Sequence, residues 1–207
     1  MKSNCVAVIF DLEYTAWEGS LARGWSGDDE DPEIIQIGAV ELCVLGHTLF
    51  LGREFIRVVR PTLRPKLSAY ITELTKITQR MLDEKGVSFS EALQDFFCFI
   101  PKTVLICSNG DDWLFLDQNC EINEVKNPFR RSQFIDLRPT LAKHHGLPED
   151  SEMLHSYRFS VTERNHIQVG ANRGHDALVD AKAVAVQAIQ IGLTNLPFDT
   201  NLEIRCD

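Results

Sequence analysis

The stretch Val6-Ala-Val-Ile-Phe10 is apolar at every position and rich in β-branched residues, and it is followed at once by acids at Asp11 and Glu13. A strand with one wetted face alternates polar and apolar residues, so a run without alternation must be covered on both faces. This predicts a central strand with helices packed on each side. Across 207 residues, 44% apolar and 25% charged are the proportions of a chain that folds in water, not of a fibrous or disordered one. The length suits one domain spanning residues 1–207. No apolar run is long enough to cross a membrane, and none forms a secretory core behind a charged start, so a cytoplasmic protein without membrane contact is expected. Cys5, Cys43, Cys98, Cys107, Cys120 and Cys206 are scattered with no C-x-x-C pair, which argues against a disulfide framework or a zinc ribbon.

Organisation follows from periodicity. A second strand is read over Glu33–Val40 and a third through Phe50–Val59, with Gly46 and His47 turning between them. With the first strand they make a meander. The acidic run Asp28–Asp31, in a polar loop between Trp17 and Pro32, reads as plain solvent exposure. From Leu67 the pattern turns helical, with Ile71, Leu74, Ile77, Met81 and Leu82 at three- and four-residue steps. Ser88 and Glu91 form a capping-box pattern that opens a helix reaching Pro101. A short strand at Val104–Cys107 leads through the turn Ser108-Asn-Gly110 into a helical segment carrying Leu114, Phe115, Leu116 and Cys120. Phe134–Leu137 reads as one more strand. Pro139 suits the first turn of a helix stopped by Gly146. Asp150–Gly174 has no readable period, and a last helix runs from about Asp176 to Leu193.

Three acidic signals stand out against this frame. Asp11 and Glu13 end the most apolar strand, and period-two geometry puts both on one face, about 7 Å apart. Burying two ionised carboxylates is costly without a compensating positive charge, and no Lys or Arg adjoins them in sequence. A bound divalent metal resolves that cost; two solvated acids at a strand end are the other reading. Asp111-Asp112 again follows an apolar strand and opens a helix, a position that ordinary turn and N-cap chemistry also explains. Gly174-His175-Asp176-Ala-Leu-Val-Asp180 heads the last helix. Asp176 is placed to cap it, whereas Asp180 falls one turn inside, and His175 lies before helical phase begins.

In this order the signals resemble the DEDDh 3′-to-5′ exonucleases, the DnaQ-like or RNase T-like group of the ribonuclease H-like superfamily. The first motif is Phe10-Asp-Leu-Glu-Tyr-Thr15, Glu33–Val40 is similar to the group's second strand, and His175 followed by Asp180 and Ala181 matches the third motif. Leu74-Thr-Lys-Ile-Thr78 resembles the KapD and enhanced-RNAi exoribonuclease subgroup. The second motif is one residue short around Ser108–Trp113; Asp112 is chosen because Phe115, Leu116 and Cys120 then fall at the family offsets, with Asp111 left open.

The resemblance implies an α/β ribonuclease H-like fold, a mixed sheet of about five strands flanked by helices. It implies hydrolysis of single-stranded or short nucleic acid from 3′ ends, RNA slightly favoured over DNA, releasing nucleoside 5′-monophosphates. Asp11, Glu13, Asp112 and Asp180 would hold two Mg²⁺ or Mn²⁺ ions about 4 Å apart, His175 would be the general base, and Leu12, Tyr14, Thr15, Leu74 and Ile77 would receive the terminal nucleotide; Trp17, as a nearby aromatic, is read as a stacking surface for a base. Leu74 and Ile77 read equally as core residues of an amphipathic helix. Metals also answer a charge problem, because 30 acidic against 21 basic residues give a net charge of −9, which repels a polyphosphate unless cations are held locally. The alternative is a non-catalytic module of the same fold that binds RNA ends or a protein.

Overall fold

The computed structural model describes residues 4–155 and 175–197. Most of the Asp150–Gly174 segment, from residue 156 onward, therefore lies outside the described residues, as does Cys206. One five-stranded sheet organises the rest, with strand order β3-β2-β1-β4-β5. The meander is β1 (Asn4–Tyr14), β2 (Ile34–Leu45) and β3 (Thr48–Val58), antiparallel throughout, and the parallel pairs β1·β4 and β4·β5 add β4 (Leu105–Ser108) and β5 (Phe134–Asp136). The sheet is thus mixed, as a ribonuclease H-like fold requires.

The unalternating run of β1 is covered on both faces. Ala7 and Ile9 point into a core shared with α6 (Ala177–Ile191), while Val8, Phe10 and Leu12 point into a second core built with α3 (Phe89–Phe99) and α4 (Asp112–Ile122). A third, smaller core joins Ala16 and Ile35 to α1 (Ala69–Thr75) and α2 (Gln79–Lys85) through Ile71, Ile77 and Leu82. The remaining helix, α5 (Arg138–His145), carries Pro139 in its first turn and stops at Gly146, φ 66°, as read from sequence.

Two expectations change. The acids do not end β1: the ladder continues from Asp11 opposite Gly38 to Tyr14 opposite Ile34, because backbone pairing with β2 is indifferent to the side chains on the α6 face. The helical pattern from Leu67 is broken into α1 and α2. Lys76 adopts a left-handed conformation (φ 62°) as the C-cap of α1, and the Thr78 hydroxyl caps α2 by accepting from the Met81 amide. Side-chain caps at Ser68 and Ser88 start α1 and α3 in the same way, each satisfying an amide that has no partner within its helix.

Candidate active site

The C-terminal half of β1 presents Asp11 and Glu13 on the face covered by α6, in step with Ala7 and Ile9. Gly38 lies directly across from Asp11. A Cβ there would lie 2.1 Å from the Leu178 amide nitrogen and 2.2 Å from the Ala177 carbonyl carbon, so only glycine lets the first turn of α6 rest on β2. That turn is fixed from two sides. Gln36 Oε1 accepts from the Ala177 amide at 2.8 Å, and the Asp176 side chain caps the amides of Leu178 and Val179 at 3.2 Å. One turn on, Asp180 is delivered beside the β1 acids, 3% exposed.

Carboxylate oxygens of Asp11, Glu13 and Asp180 all lie within 4.8 Å of one another. Asp112 opens α4 from the neighbouring strand β4 and is close enough to raise the pKa values of Asp11, Glu13 and Asp180. Its exposed neighbour Asp111 occupies the N-cap position, but its side chain makes no capping hydrogen bond. Asp136 accepts from the Gly110 amide at 2.9 Å and the Arg138 amide at 2.8 Å, pinning the turn that precedes both acids. Asn119 ties α4 to the start of β2: its Oδ1 accepts from Ile34 N at 2.8 Å, and its Nδ2 donates to the Pro32 carbonyl at 2.9 Å.

Electrostatically the cluster lacks its counter-charge. Among the described residues, no ion pair reaches Asp11, Glu13, Asp112 or Asp180. Burial, followed by mutual repulsion, lifts Asp11 and Glu13 well above the usual carboxylate range. Asp112 and Asp180 are each pushed up to about 7, chiefly by burial; the backbone amides of Leu12 and Asp112 partly oppose this at Asp112, and that of His175 at Asp180. Asp180 Oδ2 accepts from the His175 amide at 2.8 Å, while Asp180 Oδ1 is buried with no hydrogen-bond partner. A buried orphan oxygen among crowded carboxylates is the donor set that a hard divalent cation satisfies, so these residues fit the metal ions that the family resemblance implies. The half-buried His175 stands at φ 64° just before the helix, and burial, with the charge of nearby His155, lowers its pKa.

The six residues expected to grip a nucleotide divide by exposure. Leu12, Thr15 and Ile77 are buried; Leu12 and Ile77 sit in apolar cores, and the Thr15 hydroxyl donates to Asp31 O and accepts from the Glu33 amide. Tyr14, Trp17 and Leu74 are half-buried. Tyr14 stacks on Phe115 with ring centroids 4.3 Å apart, and Trp25 meets both rings edge-on at 5.4 and 5.6 Å while its Nε1 donates to Thr15 O. Sequence reading missed Trp25; an aromatic inside a loop of glycines and acids was the available signal. It also missed Gln36 and Gly38, whose two-residue spacing interrupts an apolar strand on a single face. The Asp28–Asp31 run is not simply solvated, since Arg64 pairs with Asp29 and Asp31 and Arg23 with Glu30.

Comparison with known proteins agrees with this geometry. The family profile described as Exonuclease (RNase_T) matches residues 8–187. The chain is 30% identical over 132 residues to the probable 3′-5′ exonuclease KapD of Bacillus subtilis, covering 63% of this chain and 60% of that protein. It is 26% identical over 192 residues to mouse 3′-5′ exoribonuclease 1, covering 88% and 52%. The chain therefore spans roughly half the length of these curated relatives. Among solved structures, the nuclease domain of 3′hExo, a DEDDh family member bound to rAMP, superposes with a TM-score of 0.71 at 23% identity over 89% of this chain and 90% of that one. Escherichia coli ExoI in complex with single-stranded DNA gives 0.62 at 16% identity over 92% and 40%, a likeness of fold. With the profile running from β1 through most of α6, and so across all three acidic motifs, the chain belongs to the RNase T exonuclease family.

Proposed function

We propose that this chain, as a single domain over residues 1–207, is a metal-dependent 3′-to-5′ exonuclease that shortens single-stranded or short nucleic acid in the cytoplasm, RNA in preference to DNA, releasing nucleoside 5′-monophosphates. The observation that carries the reading is the carboxylate cluster of Asp11, Glu13 and Asp180, uncompensated by any cationic side chain among the described residues and holding one orphan oxygen. Family membership supports the hydrolytic class, and the names of the relatives support the polarity and the ribose preference.

Asp11, Glu13, Asp112 and Asp180 would hold two divalent ions, Mg²⁺ or Mn²⁺, which when bound activate water and stabilise the leaving 3′-oxygen. The chain's own residues do the rest. Burial keeps His175 neutral near pH 7, so its imidazole accepts the proton that the attacking water loses. The bond from its backbone amide to Asp180 fixes that base relative to the acids. The half-buried Tyr14, Trp17 and Leu74 would meet the terminal nucleotide, and Leu12, Thr15 and Ile77, which are buried, would shape that surface rather than touch the nucleotide. Base stacking on such rings is worth about 1–3 kcal/mol and reads no sequence.

A time course on 3′- and 5′-labelled RNA and DNA of one sequence, with Mn²⁺, Mg²⁺ or EDTA, tests this. Shortening from the 3′ end, faster on RNA, abolished by EDTA and by Asp11→Ala, is expected. Intact strands with folded, Mn²⁺-loaded protein would instead leave a binding module.

A further inference from the structure

At the other end of β1 lies a second cluster of ligating groups. Cys5 of β1 pairs directly with Cys43 of β2, and Glu41, two residues along β2, shares the face of Cys43. The two sulfurs and a Glu41 carboxylate oxygen lie within 4.8 Å of one another. From Cys5 to Asp11 is six residues, roughly 20 Å along the strand, so this cluster is separate from the candidate active site. Glu41 and Cys43 are buried and Cys5 is half-buried.

The sheet is distorted around these three residues. The β1·β2 register shifts between Cys5 and Ala7, and the β2·β3 register shifts between Val40 and Leu42, so that Glu41 stands against Gly52 and Arg53. Two bulges in adjacent ladders converge on one cluster, and bulges re-aim side chains at the cost of regular pairing. Gly52 completes the enclosure. A Cβ there would lie 2.6 Å from Cys43 Sγ and 2.9 Å from Glu41 Oε2, so the glycine keeps open the space into which the donors face.

Arg53 supplies what resembles an outer shell. Its Nε and Nη2 donate to Glu41 Oε1 at 3.0 and 2.5 Å, its backbone amide donates to Oε2 at 3.1 Å, and its guanidinium lies over Phe99, 5.0 Å from the ring centroid. A ligating carboxylate is typically oriented by such hydrogen bonds. Two thiolates, one carboxylate and one guanidinium leave two net negative charges, which one dication cancels. Without a cation, burial and Glu41 hold both thiols protonated, Cys5 pushed up to about 12.

We propose that Cys5, Cys43 and Glu41 form a binding site for a thiophilic divalent cation of the zinc class, stapling the ends of β1 and β2 beside β3. Zinc bonds of about 2.0–2.3 Å to sulfur and oxygen require the three donors to close in by only about an ångström.

The test is Co²⁺ uptake by the full chain, reduced with a phosphine and followed optically, because thiolate-to-cobalt charge transfer gives a near-ultraviolet band that a carboxylate-only site does not. One equivalent producing the band, displaced by Zn²⁺, lost in Cys43→Ser and kept in Cys98→Ser, is expected. Cys5→Ser, at the half-buried start of β1, serves the same purpose if Cys43→Ser does not fold. No band in the reduced wild type overturns the site. So does a band that survives both Cys5→Ser and Cys43→Ser, or a Cys5–Cys43 disulfide in the isolated protein with no cation uptake after reduction.

Discussion

Asp180 shows how the site trades stability for chemistry. Its Oδ1 is buried without a hydrogen-bond partner and its neighbours are acids, a condition that destabilises the metal-free, ionised fold and is relieved by a proton or a cation. Asp180→Asn keeps an oxygen for the His175 amide and removes the charge. Its expected result is a higher Tm than wild type in EDTA at pH 8, together with loss of the Mn²⁺-dependent rise in Tm and of nuclease activity; calorimetry with and without Mn²⁺ checks it. His175→Gln removes the proposed proton acceptor but none of the proposed ligands, so turnover should fall about 10²- to 10⁴-fold while the Mn²⁺ shift in Tm persists. Asp111→Ala should leave turnover nearly intact, unlike Asp112→Ala, since Asp111 is exposed and Asp112 lies near enough to Asp11, Glu13 and Asp180 to raise their pKa values. Asp11, Glu13 and Asp180 were legible as candidates because each breaks a local rule, a carboxylate following an unbroken apolar run on a buried strand or one turn inside an apolar helix, whereas Asp112 and His175 were singled out only by the family resemblance. Local chemistry did not separate Asp111 from Asp112, because N-cap and first-turn positions both favour aspartate; only the family offsets favoured Asp112.

At the level of elements, what positions the site is the seating of α6 on β2. Gly38→Ala would drive a methyl into the backbone of residues 177 and 178. Overpacking of this kind costs about 1–3 kcal/mol, and displacement of Asp180 should lower turnover more than the stability loss accounts for; urea denaturation and initial rates measured on the same variant separate the two. The strands, their meander and the final helix were readable from period and turn chemistry. The break between α1 and α2 was not, since an apolar pattern at helical spacing does not register a left-handed residue at Lys76. The loop from Trp17 to Glu33 was opaque for another reason: its order comes from distant partners. The Glu33 carboxylate accepts from the amides of Thr62, Leu63 and Arg64, and Trp25 docks on Tyr14 and Phe115, contacts that leave no periodic trace.

The whole molecule carries a net charge of −9, yet its proposed substrate is a polyanion. If metals supply the attraction, activity follows Mn²⁺ or Mg²⁺ concentration and falls only shallowly with monovalent salt, unlike a grip made by many cationic side chains. Titration links the same acids to global stability. Asp112 and Asp180 titrate near 7 in the fold against 3.8 for the ordinary group, so the metal-free native state binds more protons than the unfolded chain between about pH 4 and 7. Their contribution to stability therefore falls as pH rises through that window, and because bound ions require the deprotonated ligands, Mn²⁺ should raise Tm more at pH 8 than at pH 6. The most direct measurement follows the label of a 3′-end-labelled single-stranded RNA during Mn²⁺-dependent turnover by wild type and Asp180→Asn. Release of the label as a nucleoside 5′-monophosphate by wild type, and none by the variant, is the predicted result. Release within longer oligonucleotides, or equal release by the variant, would contradict the account.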